Sequence, residues 1–177
     1  MTRHLLLLRH AEAGPYAHTE AGDRARALTG KGVAQAAQTA SALLHWTAQH
    51  DIVWSAKEAL TLCSPAQRTR QTADIALQRS HCRSARLEPD TLYSATAQNL
   101  LEHISSTDEH IQTLLLVGHN PAIEHLAYDL IGPSAQLKEN DVFPKGYPPS
   151  TLTLFSLADN WYAARPSTLA FLGINAP

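Results

Sequence analysis

Leu5-Leu6-Leu7-Leu8-Arg9-His10-Ala11 is the stretch that decides the fold of this 177-residue chain. A short, wholly apolar run that stops at a polar turn reads as a strand buried on both faces, as in a parallel sheet covered by helices. Two other apolar runs stop in the same way. Residues 59–63 open into Ser64-Pro65-Ala66-Gln67-Arg68, and residues 113–117 open into Gly118-His119-Asn120-Pro121. Ligands of open α/β sheets bind beyond the carboxyl ends of the strands, so these turns bring His10, Arg68 and His119 to one edge of the molecule. Arginine beside imidazole in such a place suits an anionic phosphoryl group.

Helical signals fill the spaces between these runs. Thr29 is an N-cap residue for a helix that carries Val33, Ala36, Ala37, Ala40, Leu43 and Leu44 and ends within 45–50. Ser64 with Gln67 forms a capping-box pattern, and Pro65 occupies the first helical position of a helix expected to reach about residue 79. Thr96 caps a helix bearing Leu100, Leu101 and Ile104. Asn120 and Pro121 repeat the cap-then-proline pattern before Ile123, Leu126, Ala127, Leu130 and Ile131, and Gly132-Pro133 stops that helix. Residues 11–28 and 134–150 read as loops, and 86–88 as a short edge strand. Residues 151–157 alternate as a strand that pairs in a hairpin with 161–164, and 170–172 form a weakly apolar tail. Strands alternating with helices predict an α/β protein, a three-layer α/β/α sandwich with a mostly parallel central sheet.

Composition narrows the function classes. Residues 1–177 read as a single domain, with 44% apolar and 17% charged residues and no biased tract. A net charge of −2 argues against broad nucleic-acid binding. No apolar run approaches the length of a membrane span, and Arg9 and His10 interrupt the opening run where a signal peptide still needs apolar residues. Cys63 and Cys82 form no CxxC pair and fit a reducing compartment, so the cytoplasm is expected. Glu124-His125 follows His119 at a spacing that matches neither zinc helix motif, and Ser64 lacks the glycine elbow of serine hydrolases. His4, His18, His45, His50, His81, His103 and His110 stand outside any motif and read as solvated or hydrogen-bonded structural residues.

The motifs together resemble those of the histidine phosphatase superfamily, with its phosphoglycerate-mutase-like fold, and within it the small SixA-type phosphohistidine phosphatases. Leu8-Arg9-His10-Ala11-Glu12-Ala13 is similar to the opening motif and Arg26-Ala27-Leu28-Thr29 to the arginine loop. Ser64-Pro65-Ala66-Gln67-Arg68 with Gln71-Thr72-Ala73 is similar to the second motif, and Val117-Gly118-His119-Asn120-Pro121 to the third. Ala11 replaces the superfamily's usual glycine, as in the phosphohistidine branch, and Ala27 replaces a common proline.

This resemblance implies that His10 is a nucleophile, that Arg9 and Arg68 clamp the phosphoryl group, that His119 completes the pocket as an imidazolium donor, and that Arg26 adds a contact. His10 must then present an unprotonated nitrogen, with its other nitrogen held by a backbone acceptor. Asp90, three residues before Tyr93, stands where mutase-like relatives place a general acid. Asn120 replaces the aspartate that follows the second histidine in acid phosphatases and phytases. The resemblance implies a phosphatase without cofactor or metal acting on a phosphorylated protein, for instance a histidine phosphotransfer domain, with a monomer favoured. Two alternatives stay open: a phosphatase of small phosphate esters such as sugar phosphates or nucleotides, and a phosphate-binding module without turnover.

Overall fold

The structure, a computed structural model, describes residues 2–132 and 146–177. The strands are β1 (Arg3–Arg9), β2 (Ala59–Cys63), β3 (Ala85–Leu87), β4 (Thr113–Gly118), β5 (Leu152–Leu157) and β6 (Leu169–Asn175). They form one six-stranded sheet in the order β3-β2-β4-β1-β5-β6. The pairs β1/β4, β2/β4 and β2/β3 are parallel, whereas β5 runs antiparallel to both β1 and β6. The expected mixed α/β fold with a mostly parallel sheet is therefore present.

The helices are α1 (Glu20–Arg24), α2 (Gly30–His50), α3 (Gln67–Ser80), α4 (Ala97–Ser105) and α5 (Ala122–Ile131). The leucine run explains how they form layers. Successive side chains of a strand point to opposite faces. Leu6 and Leu8 pack with Leu43 and Trp46 of α2 and Ala73 and Ala76 of α3, while Leu5 and Leu7 pack with Ile104 of α4 and Leu126 and Leu130 of α5. Each of the four leucines is fully buried, which contributes about 1.5–3 kcal/mol apiece.

Helix starts show where local signals held and where long-range contacts overrode them. Thr29 caps α2 by accepting from the Gly32 amide, and Thr96 caps α4 in a capping box with Asn99. Ser64 is not the cap of α3: the N-cap is Ala66, without a side-chain hydrogen bond. The Thr69 hydroxyl lies 2.7 Å from both the Ser64 and Ala66 carbonyls, and the Ser64 hydroxyl turns to His119 instead. Similarly, Pro121 rather than Asn120 is the N-cap of α5, because the Asn120 amide donates to Glu124 at 2.7 Å.

Two loop-level expectations need correction. Residues 11–28 include α1, whose cap Thr19 accepts from the Gly22 amide. Residues 161–164 do not form the hairpin partner of β5: Trp161–Ala163 is a 3₁₀ turn, and the partner is β6. The Trp161 indole is fully buried and donates to the Ile111 carbonyl at 2.7 Å, a tertiary reason for an aromatic that mimics a strand position. Of the loop expected at 134–150, residues 134–145 lie outside the described residues.

Gly32 joins α2 to the loop after β1. A Cβ built there would lie 2.0 Å from the Glu12 carbonyl oxygen, a backbone atom that cannot step aside like a flexible side chain. Gly32→Ala is therefore expected to destabilise the protein by about 1–3 kcal/mol, as overpacking does, read as a lower denaturation midpoint in urea.

Candidate active site

Strand register assembles the site. Arg9 pairs with Gly118 across β1 and β4, and Cys63 pairs with Val117 across β2 and β4, so the three strands end level with one another. The next residues continue the ladder: the His10 amide donates to the Gly118 carbonyl and the Ser64 amide to the Val117 carbonyl, both at 3.0 Å. His10 and His119 consequently meet edge to face, with ring centroids 5.1 Å apart.

Each ring has one nitrogen committed. His10 Nδ1 lies 2.8 Å from the Ala11 carbonyl oxygen, an acceptor only, so Nδ1 carries the proton and Nε2 keeps its lone pair. His119 Nε2 lies 2.7 Å from the buried Ser64 hydroxyl, and its Nδ1 is buried without a hydrogen-bond partner among the described residues. Nδ1 is thus the His119 nitrogen left for a ligand.

Electrostatics hold both rings neutral. Burial pushes His10 down to about 4, with Arg68, Arg9 and Arg26 adding to the effect and the Ala11 hydrogen bond opposing it. Burial likewise pushes His119 down to about 3, reinforced by His10 and Arg68 and opposed by Asp23. The imidazolium expected of His119 therefore requires an incoming anion. Because both folded values lie below the unfolded histidine value near 6.5, the unfolded chain binds more protons between them. Stability is expected to be complete above pH 6.5 and to fall as pH drops towards 4. Chemical denaturation across that range checks this, and His119→Asn flattens the decline.

The arginines approach from separate segments. Arg68 lies in the first turn of α3, where the helix dipole favours an anion, and is 6% exposed. Its Nη1 donates to the Asp23 carbonyl oxygen at 2.7 Å, and its Nη2 to Asp23 Oδ2 at 3.1 Å. Arg26 donates from Nε to the Gly14 carbonyl at 2.9 Å and from Nη1 to Asp23 Oδ1 at 2.8 Å. Arg9 Nη1 donates to the Tyr147 carbonyl at 2.5 Å, while its Nε is buried without a partner among the described residues. Burial lowers the Arg9 pKa, the direction expected of a cation kept from water.

Asp90 makes its side-chain contacts with Arg24. Its carboxylate is exposed and ion-paired with Arg24 at 2.5 Å, which holds it below the usual carboxylate range. A carboxylate kept ionised by an arginine has no proton to donate.

Three polar groups of the site escape a sequence reading. Ser64 reads as a helix cap. Asp23 falls within residues 11–28, read as a loop, although an acid three residues before Arg26 is a usable signal. Tyr93 hydrogen-bonds Asp23 Oδ2 at 2.6 Å and lies edge-on to His119 at 5.8 Å. A cavity of about 210 Å³ adjoins this group, lined by Tyr93, Ser94, His119, Asn120 and Pro121 among others.

Histidines and arginines gathered at the carboxyl ends of a mostly parallel sheet supply cations and donors that suit an anionic phosphoryl group. Residues 5–91, just under half of the chain, match the model of the histidine phosphatase superfamily (branch 1). The chain is 29% identical over 119 residues to the uncharacterized protein Rv1276c of Mycobacterium tuberculosis, covering 66% of this chain and 72% of that protein. Among solved structures, it is similar to a protein named SixA from Agrobacterium tumefaciens, with 25% identity, a TM-score of 0.75, and 99% and 98% of the two chains covered. It also shares its fold with the protein histidine phosphatase SixA complexed with tungstate, at 18% identity, a TM-score of 0.68, and 97% and 95% coverage.

Proposed function

We propose that this chain is a metal-independent phosphatase that works through a phosphohistidine on His10 and takes its phosphoryl group from phosphohistidine on another protein. The observation that carries the chemistry is the His10 tautomer. Nδ1 is tied to the Ala11 carbonyl, so Nε2 presents a lone pair, and the ring stays neutral beside Arg68, Arg9 and Arg26. Positive charge for the non-bridging oxygens comes from arginine side chains, whose planar forks suit paired oxygens.

In the first step the Nε2 lone pair attacks phosphorus, and the bond from phosphorus to the substrate's imidazole nitrogen breaks with its electron pair on that nitrogen, so that a substrate ring protonated at its other nitrogen leaves as neutral imidazole. In the second, water attacks the phosphorylated His10 and inorganic phosphate leaves, returning the lone pair to Nε2. Charge on the phosphoryl oxygens draws a proton onto His119, the ring left neutral in the free protein. The cavity beside Tyr93 and His119 gives the leaving ring room.

Asp90 supports the choice of substrate. An alkoxide leaving group needs a proton, and Asp90, the carboxyl group expected to supply it, is held ionised by Arg24. An imidazole leaves more readily without one. The names of the SixA structures point the same way. Cys63 and Cys82 are free and buried, which fits a reducing cytoplasm.

The test is a phosphotransfer domain carrying radiolabelled phosphohistidine, incubated with this protein in EDTA. Label is expected to be lost faster than with His10→Ala. Equal rates, or faster turnover of sugar phosphates and nucleotides than of phosphohistidine, contradict the proposal.

A further inference from the structure

Asp23 places a carboxylate at the centre of a site built for an anion. Oδ1 accepts from Arg26 Nη1 at 2.8 Å, and Oδ2 accepts from the Tyr93 hydroxyl at 2.6 Å and from Arg68 Nη2 at 3.1 Å. Its backbone oxygen accepts from Arg68 Nη1 at 2.7 Å. One residue thereby joins the loop before α2, the first turn of α3, and the turn that follows Asp90–Leu92. Its side chain is only 14% exposed and that of Arg68 8%, so these contacts are sheltered from competing water.

We infer that Asp23 is a positioning residue of the phosphoryl site, holding Arg26, Arg68 and Tyr93 in one arrangement; the inference rests on the phosphatase reading above. A guanidinium carries five N–H donors in a rigid plane. Binding Asp23 along one edge fixes the plane and aims the remaining donors, so their orientation is set before the phosphoryl group arrives. Arg26 is fixed twice, since its Nε also donates to the Gly14 carbonyl.

The charge needed for this role persists at working pH. Burial raises the Asp23 pKa, but Tyr93, Arg26 and Arg68 outweigh it and bring it down to about 2. Asp23 also pushes His119 upward, towards the protonated form that an anion stabilises. Helix α1 has no buried residue of its own and is docked by polar contacts. Next to Asp23, the Arg24 guanidinium stacks over the Tyr93 ring at 4.0 Å and pairs with Asp90.

A carboxylate in the same place could instead compete with the phosphoryl group for the arginines, and the two roles differ in sign. The experiment compares wild type, Asp23→Asn, Arg26→Ala and the double variant. Inorganic phosphate binding is measured by calorimetry, kcat and KM with para-nitrophenyl phosphate, and Tm as a control for folding. Asparagine keeps the size of the side chain and removes its charge.

Positioning predicts that Asp23→Asn weakens phosphate binding about tenfold and lowers kcat/KM about 10²-fold. The phosphate effect is smaller in the Arg26→Ala background, where only the part exerted through Arg68 and Tyr93 remains, because coupled residues are not additive. Unchanged or tighter phosphate binding by Asp23→Asn overturns the inference, as do fully additive losses. If Asp23→Asn weakens phosphate binding while even wild type turns over no substrate, the phosphatase reading fails and the positioning role stands. A wild type that binds no phosphate overturns both.

Discussion

Replacing His10 with alanine is expected to reduce turnover by on the order of 10⁵-fold or to below detection, the scale on which covalent catalysis fails without its nucleophile. Inorganic phosphate should still bind, because Arg9, Arg26 and Arg68 remain. Steady-state kinetics and phosphate calorimetry on the same preparation separate the two effects. Loss of binding together with turnover indicates a collapsed site rather than a missing nucleophile.

Arg68→Ala carries the second large effect, for two reasons. Removing one preorganised donor from a developing charge costs about 10²–10³-fold in rate, so kcat/KM should fall by that amount. The variant also removes two donors from Asp23, one to its backbone oxygen and one to its carboxylate; Arg26 and Tyr93 still hold the carboxylate, so the loss costs about 1–3 kcal/mol and Tm should fall as well. Arg68→Lys restores charge without the planar fork. It is expected to recover part of the stability and little of the rate. Thermal melting and kinetics of both variants check this. Full activity in Arg68→Lys would mean that charge alone matters.

Much of the fold was readable because its central strands are buried on both sides. Leu5–Leu8 and residues 113–117 need no alternation to be recognised, and their parallel pairing follows from the helices between them. Strand β6 was harder. It contains Gly173, alternates between exposed and half-buried positions, and pairs with β5 through an irregularity at Leu154/Phe155, so its short apolar core resembled a tail. Trp161 misled in the opposite direction, since its burial depends on a carbonyl fifty residues away.

The candidate site divides in the same way. His10, Arg68 and His119 are named by where strands stop, a local property. Ser64 and Asp23 gain their meaning only from contacts across the sheet edge. The Ser64 hydroxyl reaches a histidine 55 positions later, and Asp23 meets Arg68 45 positions later. Asp90 shows the same division. Its place before Tyr93 is a local property, whereas its partner Arg24 comes from α1, a segment read as loop in the sequence.

The most direct measurement is the chemical trapping of the intermediate. Protein mixed with substrate carrying radiolabelled phosphohistidine, and quenched within milliseconds, should hold acid-labile, base-stable label on the His10 peptide, with none on His10→Ala. Phosphate released at full rate by wild type without label on His10 would contradict covalent catalysis by this residue.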